Sequence, residues 1–240
     1  MRSMYLKQKG NRCGLYSYYN LANELHLPTR AEIRRILSER ELCVANYRFY
    51  PGQGLYPEQL AMVISEHLPK GYDAHLISND WNIFPPNCNA REVRKHLEKI
   101  LRHKGSFRET HAKRQAKSYL ELMRKWKWKI TTEQITLDVL ERRTDRAPLL
   151  ASCLPMLLHP QMRRGKDFLR TARALRWDPE REDSHFFVVG RATRHEFKVI
   201  DSSTCSGERC SWRITKKDVH ASIAMDDQPT LIQIVPRRTP

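Results

Sequence analysis

The sequence predicts an α+β fold, with helices leading, an antiparallel sheet following, and a basic helical insertion between them. Three observations predict it. Apolar residues recur at helical 3–4 spacing through the first half of the chain, and short β-rich runs crowd the part after residue 146. The charge excess lies between these parts: residues 91–129 hold 14 Lys or Arg against 4 Glu, a net of +10 within a chain net of +16.

The elements follow in order. Residues 13–25, CGLYSYYNLANEL, place Leu15, Tyr18, Ala22 and Leu25 on one stripe, and Pro28 ends that helix. Thr29-Arg30-Ala31-Glu32 reads as a capping box opening a second helix to about Glu39. Pro51 to Gly54 is a loop, and residues 57–67 form a third helix with Pro57 in its first turn. Lys70-Gly71 breaks it, and Tyr72 to Ile77 is a short strand. After a loop at 81–90, Asn89 to Glu92 resembles another capping box. The helix it opens has Val93, Leu97, Ile100 and Leu101 on its apolar face and Gly105 as its stop. A basic helix spans 111 to about 126, with Ala116, Tyr119, Leu120, Met123 and Trp126 on one side. Pro148 to Ser152 reads as a buried strand, 161–183 as charged and irregular, and His185–Gly190, Glu196–Asp201 and Leu231–Val235 as further strands. We read one domain over 1–240, with 85–145 as the basic helical insertion within it.

Composition narrows the function classes. The chain has 240 residues, 40% of them hydrophobic, enough for one ordinary core. The positive charge favours acidic partners: nucleic acid, an anionic membrane surface, or an acidic protein face. No apolar run is long enough to span a membrane, and the first residues contain no stretch of secretory-signal length. The six cysteines, at 13, 43, 88, 153, 205 and 210, are too few for a disulfide scaffold. They read as reduced thiols of a cytoplasmic protein, or of one delivered into a host cell by a dedicated secretion system. Cys205 and Cys210 lack a second pair at metal spacing, His195 and His220 are generic, and His195-Glu196 lacks the second His of a zincin motif. No metal or other cofactor is expected.

The C-terminal hairpin carries the chemistry. With residues 192–194 as a three-residue loop, paired indices sum to 386 and His185 stands opposite Asp201. Opposed side chains lie close enough for the carboxylate to orient the imidazole, which predicts His185 Nδ1 within hydrogen-bond reach of Asp201. A one-residue slip would destroy the pair. At the other end of the chain, Cys13 opens the first helix, where the helix dipole favours thiolate and Arg12 adds positive charge. Gln8 offers a side-chain amide to an oxyanion, beside the backbone N–H of Cys13. Nucleophile, base, orienting group and oxyanion donors are the parts of acyl-transfer catalysis.

LKQKGNRCGLYSYYNLANEL resembles the nucleophile region of papain-like cysteine peptidases, and SHFFVVGRATRHEFKVIDSS resembles their His-to-Asp half. The Cys-Gly pair, the compact His-to-Asp interval and the short HFFVVG strand are most similar to the C39-like branch. Josephin deubiquitinases share the order, and certain bacterial effector proteases that cut lipidated host GTPases share the layout. GLYPEQLAMVISEHLPKGYDAHLIS is similar to the helix and edge strand that follow in both groups. The resemblance covers roughly 1–80 and 146–240. It departs from papain-type enzymes in a Gln-to-Cys interval of five where six is usual. It departs from many C39-like members in the Ser-Ser that follows Asp201.

The resemblance implies a papain-like fold and a cysteine peptidase acting on peptide or isopeptide bonds of a protein or peptide substrate. Cys13 is its nucleophile, His185 its base, Asp201 its orienting residue and Gln8 an oxyanion donor. Asp183 is a competing carboxylate in a worse position. A deubiquitinase or a glutamine deamidase is the alternative within the same chemistry. From another class, the alternative is a non-catalytic basic protein that binds nucleic acid or an anionic surface. Its candidate contacts are Arg124, Lys125, Trp126, Lys127, Trp128 and Lys129, where cations alternate with indoles.

Overall fold

The structure, a computed structural model, describes residues 5–6, 12–79, 83–103, 107–153, 185–191, 193–202, 211–224, 226 and 229–237; for 107–111 it describes the backbone alone. Gln8, Asp183, Cys205, Cys210, Gly105 and the 161–183 segment lie outside the described residues.

The helices are α1 (Cys13–Glu24), α2 (Arg30–Ile36), α3 (Pro57–His67), α4 (Ala90–Arg102), α5 (Phe107–Lys125), α6 (Leu137–Thr144) and α7 (Lys216–Ala224). The strands are β1 (Leu42–Val44), β2 (Tyr47–Phe49), β3 (Tyr72–Ser78), β4 (Lys129–Thr132), β5 (Leu149–Cys153), β6 (His185–Arg191), β7 (Glu196–Ile200), β8 (Ser211–Thr215) and β9 (Thr230–Pro236). β1 and β2 form a small hairpin, and the other seven strands form one sheet in the order β4-β3-β9-β5-β6-β7-β8. All its pairs are antiparallel except β3 with β4, so the sheet is mixed rather than antiparallel.

Helices cover both faces of the sheet. Period-2 alternation sends Leu76, Leu150, Phe186, Val188, Ile200 and Ile232 into a core shared with α1 to α5. Leu149, Ala151, Phe187, Val189, Phe197, Val199 and Leu231 face Val139 and Leu140 of α6 and Val219 and Ile223 of α7. A strand between two covered faces reads as continuously apolar, and every residue of β5 is buried. Within α1, Leu15, Tyr18 and Ala22 are fully buried, as their spacing predicts. Truncating Leu15 to Ala would cost about 2–5 kcal/mol by the usual cavity penalty.

Four details correct the sequence reading. Thr29 does precede α2, but its side chain makes no cap hydrogen bond, and Glu32 instead lies 3.7 Å from His67 Nδ1. The helix stops at Ile36, short of Glu39. The Asn89 box does form: Asn89 Oδ1 accepts from the N–H groups of Arg91 and Glu92, and Glu92 accepts from the N–H of Asn89. On that helix Val93 and Leu97 are buried, whereas Leu101 is exposed. The 85–145 region also supplies an edge strand of the sheet, β4, and buries Ala116, Tyr119, Leu120 and Leu122 of α5 in the first core.

Candidate active site

The β6–β7 hairpin pairs Val188 with Ile200, Val189 with Val199, Gly190 with Lys198 and Arg191 with Phe197. The turn is therefore longer than three residues, and the register is displaced by two from the expected one. A shift of two keeps every side chain on its face, whereas a shift of one would reverse them. His185 and Asp201 become diagonal neighbours across the ladder, still within reach of long side chains. His185 Nε2–H donates to Asp201 Oδ1 at 2.8 Å, with both residues buried. The expected atom was Nδ1. Asp201 lies one residue beyond β7 and engages the far ring nitrogen, so Nδ1 is the nitrogen left to face the thiol.

Cys13 is the first residue of α1 and is half-buried. Ser17, one helical turn on, donates its hydroxyl to the carbonyl of Phe186 at 2.5 Å and pins the start of α1 to the start of β6. Gly14 allows the close approach: a Cβ there would lie 3.3 Å from a Leu60 methyl and 3.7 Å from the Phe186 ring. Sequence reasoning did not single out Ser17. Its signal was a hydroxyl four residues after the cysteine, on the same helical face.

Burial pushes the Cys13 thiol up. The positive His185 ring, a hydrogen bond to that ring and the backbone N–H groups of Phe186 and Gly14 outweigh it, so the thiol titrates below its ordinary 9.0. Burial likewise pulls the His185 imidazolium down. The Asp201 carboxylate and the Cys13 sulfur outweigh burial there too and hold the imidazolium well above its usual range. Both directions favour a thiolate–imidazolium pair, the arrangement that makes a nucleophilic sulfur at neutral pH.

Arg12 is not among the groups that lower the thiol. Its Nη1 donates to the carbonyl of Leu37 at 2.5 Å, which ties the entry of α1 to the end of α2. Cys153, opposite His185 on β5, is the contrasting thiol. It is fully buried, and desolvation together with the Asp201 and Asp226 carboxylates raises it well above the ordinary range. It is a packed thiol rather than a reactive one.

The basic-aromatic segment is not one continuous surface. Arg124 is held by Glu98 at 2.8 Å, and Lys125 Nζ sits 4.5 Å from the Trp126 ring centroid. Trp126 is half-buried, and Lys127 and Lys129 are exposed. Trp128 is buried in the core and donates its indole N–H to Ser65 at 2.8 Å, so it cannot contact a ligand by stacking. Among the described residues no group of three or more His, Cys, Asp or Glu could hold a metal ion, and no helix is long and apolar enough to cross a membrane. No protein-family model matches the chain, and no curated protein sequence matches it.

Proposed function

We propose that the protein is a papain-like cysteine hydrolase that cleaves peptide or isopeptide bonds of a protein substrate. The observation that carries this reading is one imidazole, His185, held 2.8 Å from a buried carboxylate while it hydrogen-bonds a thiol at a helix start. In this reading the Cys13 thiolate attacks the carbonyl carbon of the scissile bond. The oxyanion that develops is met by the N–H of Cys13, which lies in the first turn of α1 and so has no acceptor within the helix. His185 passes the Nδ1 proton to the leaving amine, and the bond breaks to leave a thioester on Cys13. His185 then takes a proton from water as that water attacks the thioester, and the acid product leaves with the thiolate restored. Asp201 keeps the Nε2 proton in place, so that Nδ1 is always the nitrogen that exchanges protons with sulfur and substrate.

The test compares new protein N-termini produced in a cell extract by the wild-type protein and by Cys13→Ala and His185→Ala. Each substitution should abolish the new termini while the circular dichroism spectrum stays unchanged. New termini that persist with Cys13→Ala would reject the nucleophile. A ubiquitin-propargyl probe separates the branches: a deubiquitinase gains a ubiquitin-sized mass on Cys13, and a general peptidase does not.

A further inference from the structure

Helix α3 separates two sites. Leu60, near its start, packs on Gly14 beside the nucleophile, whereas Ser65, in its last turns, lines a cavity at the other end. Tyr72 and Trp126 line that cavity with Gly71, Lys70 and Arg237, and Trp128 forms part of its inner wall. The chain shapes it deliberately. α5 ends at Lys125, and Lys127 adopts a left-handed backbone (φ 59°) that turns Trp128 into the core. That leaves Trp126 as a half-buried indole in the cavity lining. Gly71 has φ +92°, and a Cβ there would meet nothing within 4 Å, so the lining beside it is open.

The polar groups define what fits. Ser65 is already committed: its hydroxyl accepts from Trp128 and donates to the carbonyl of Ala61. Arg237 is paired with Asp73 at 2.9 Å, with both groups more than half exposed. Lys70 is exposed and has no ion-pair partner among the described residues. Lys125 Nζ lies over one face of Trp126, so the lining offers the other face of that indole, the Tyr72 ring and the cations Lys70 and Arg237, and little that would read the edge of a base. The sequence segment that carries Trp126, residues 91–129, has a net charge of +10.

We propose that this cavity binds single-stranded nucleic acid. One base stacks on Trp126 and Tyr72, and the flanking phosphates lie on Lys70 and Lys127. Stacking with phosphate neutralisation is sequence-tolerant, as the committed Ser65 hydroxyl requires. A membrane surface fits less well. Trp126 is recessed, and the large exposed apolar side chains among the described residues are Tyr50, Tyr56 and Leu101, none of which lines the cavity.

The experiment is fluorescence anisotropy of labelled oligo-dT and oligo-U of about 12 nucleotides, the size range of single-strand sites, with the full chain. Binding should weaken steeply with salt. Trp126→Leu should weaken it about tenfold, Trp126→Phe should restore most of that loss, and Lys70→Glu should weaken it severalfold. Lys70 is exposed, so its variant decides the question even if Trp126→Leu fails to fold. Three results overturn the proposal: no binding of either oligonucleotide, wild-type affinity in a folded Trp126→Leu or in Lys70→Glu, or Trp126-dependent binding to phosphatidylserine vesicles without binding to oligonucleotides.

Discussion

His185 and His75 stand on strands of the same sheet, the first buried and the second half-buried, and their neighbours drive them in opposite directions. Burial alone disfavours the charged ring in each. His185 sits between the Asp201 carboxylate and the Cys13 sulfur, and its imidazolium is held up. His75 Nδ1 accepts from Arg143 at 2.9 Å, and its Nε2–H donates to Thr131 at 3.1 Å. Desolvation, with the positive charges of Arg143, Lys129 and Arg146, pushes it down to about 3. The lesson is that burial does not fix the charge of a histidine; the sign of what it touches does. In the proposed reaction one ring moves a proton, and the other is a neutral strut under an ion pair, since Arg143 also holds Glu133 at 2.7 Å.

The comparison can be broken at either ring. His185→Ala removes the base and should lower turnover by about 10²–10⁴-fold, the usual worth of a general acid–base, with the melting temperature nearly unchanged. Asp201→Asn should lower turnover by about tenfold or more, but less than His185→Ala. It should also shift the pH profile in a defined way. Without the carboxylate the imidazolium loses its partner and its pKa falls; with less positive charge beside it, the thiolate loses stabilisation and its pKa rises. The active window should narrow from both sides, which a pH series of initial rates would show. Arg143→Met should destabilise the fold by about 1–3 kcal/mol in urea unfolding and raise the His75 pKa measured by NMR, with the Cys13 profile unmoved. Thr131→Val is the smallest change. It should cost about 1 kcal/mol through one buried N–H left unpaired, and His75 should stay neutral because Arg143 remains.

Much of this was legible in the sequence, for identifiable reasons. α1, α3 and the α4 cap carry strong local signals: an apolar stripe, a first-turn proline and a reciprocal Asn-to-Glu box. β3, β6, β7 and β9 carry β-branched and aromatic residues, and β5 is a short continuous apolar run. The hairpin of β1 and β2 is invisible because its strands hold three residues each, too few for a period to register. β4 had a signal that went unread. Trp128, Ile130 and Thr132 alternate with Lys127, Lys129 and Thr131, a strand pattern masked by the basic helix before it. α6 likewise has Thr136, whose hydroxyl accepts from the N–H of Val139.

At the candidate site, the closeness of His185 and Asp201 was readable in the sequence and the atomic detail was not. His185 and Asp201 come together although the turn is longer than three residues, because a two-residue displacement preserves the face of a strand. Which ring nitrogen meets the carboxylate depends on how the chain leaves β7, and no local pattern encodes that. The sequence suggests that Arg12 adds its charge at the sulfur, whereas its Nη1 is directed at a backbone carbonyl 25 residues away.

The most direct measurement is the rate at which iodoacetamide alkylates each cysteine as a function of pH, followed by mass spectrometry in the wild type and in Asp201→Asn. Cys13 should react readily near pH 6, well below the pH at which free glutathione reacts, and the Asp201→Asn profile should move to higher pH. A Cys13 profile that rises only with that of free glutathione, and that ignores Asp201→Asn, would mean that no thiolate–imidazolium pair exists.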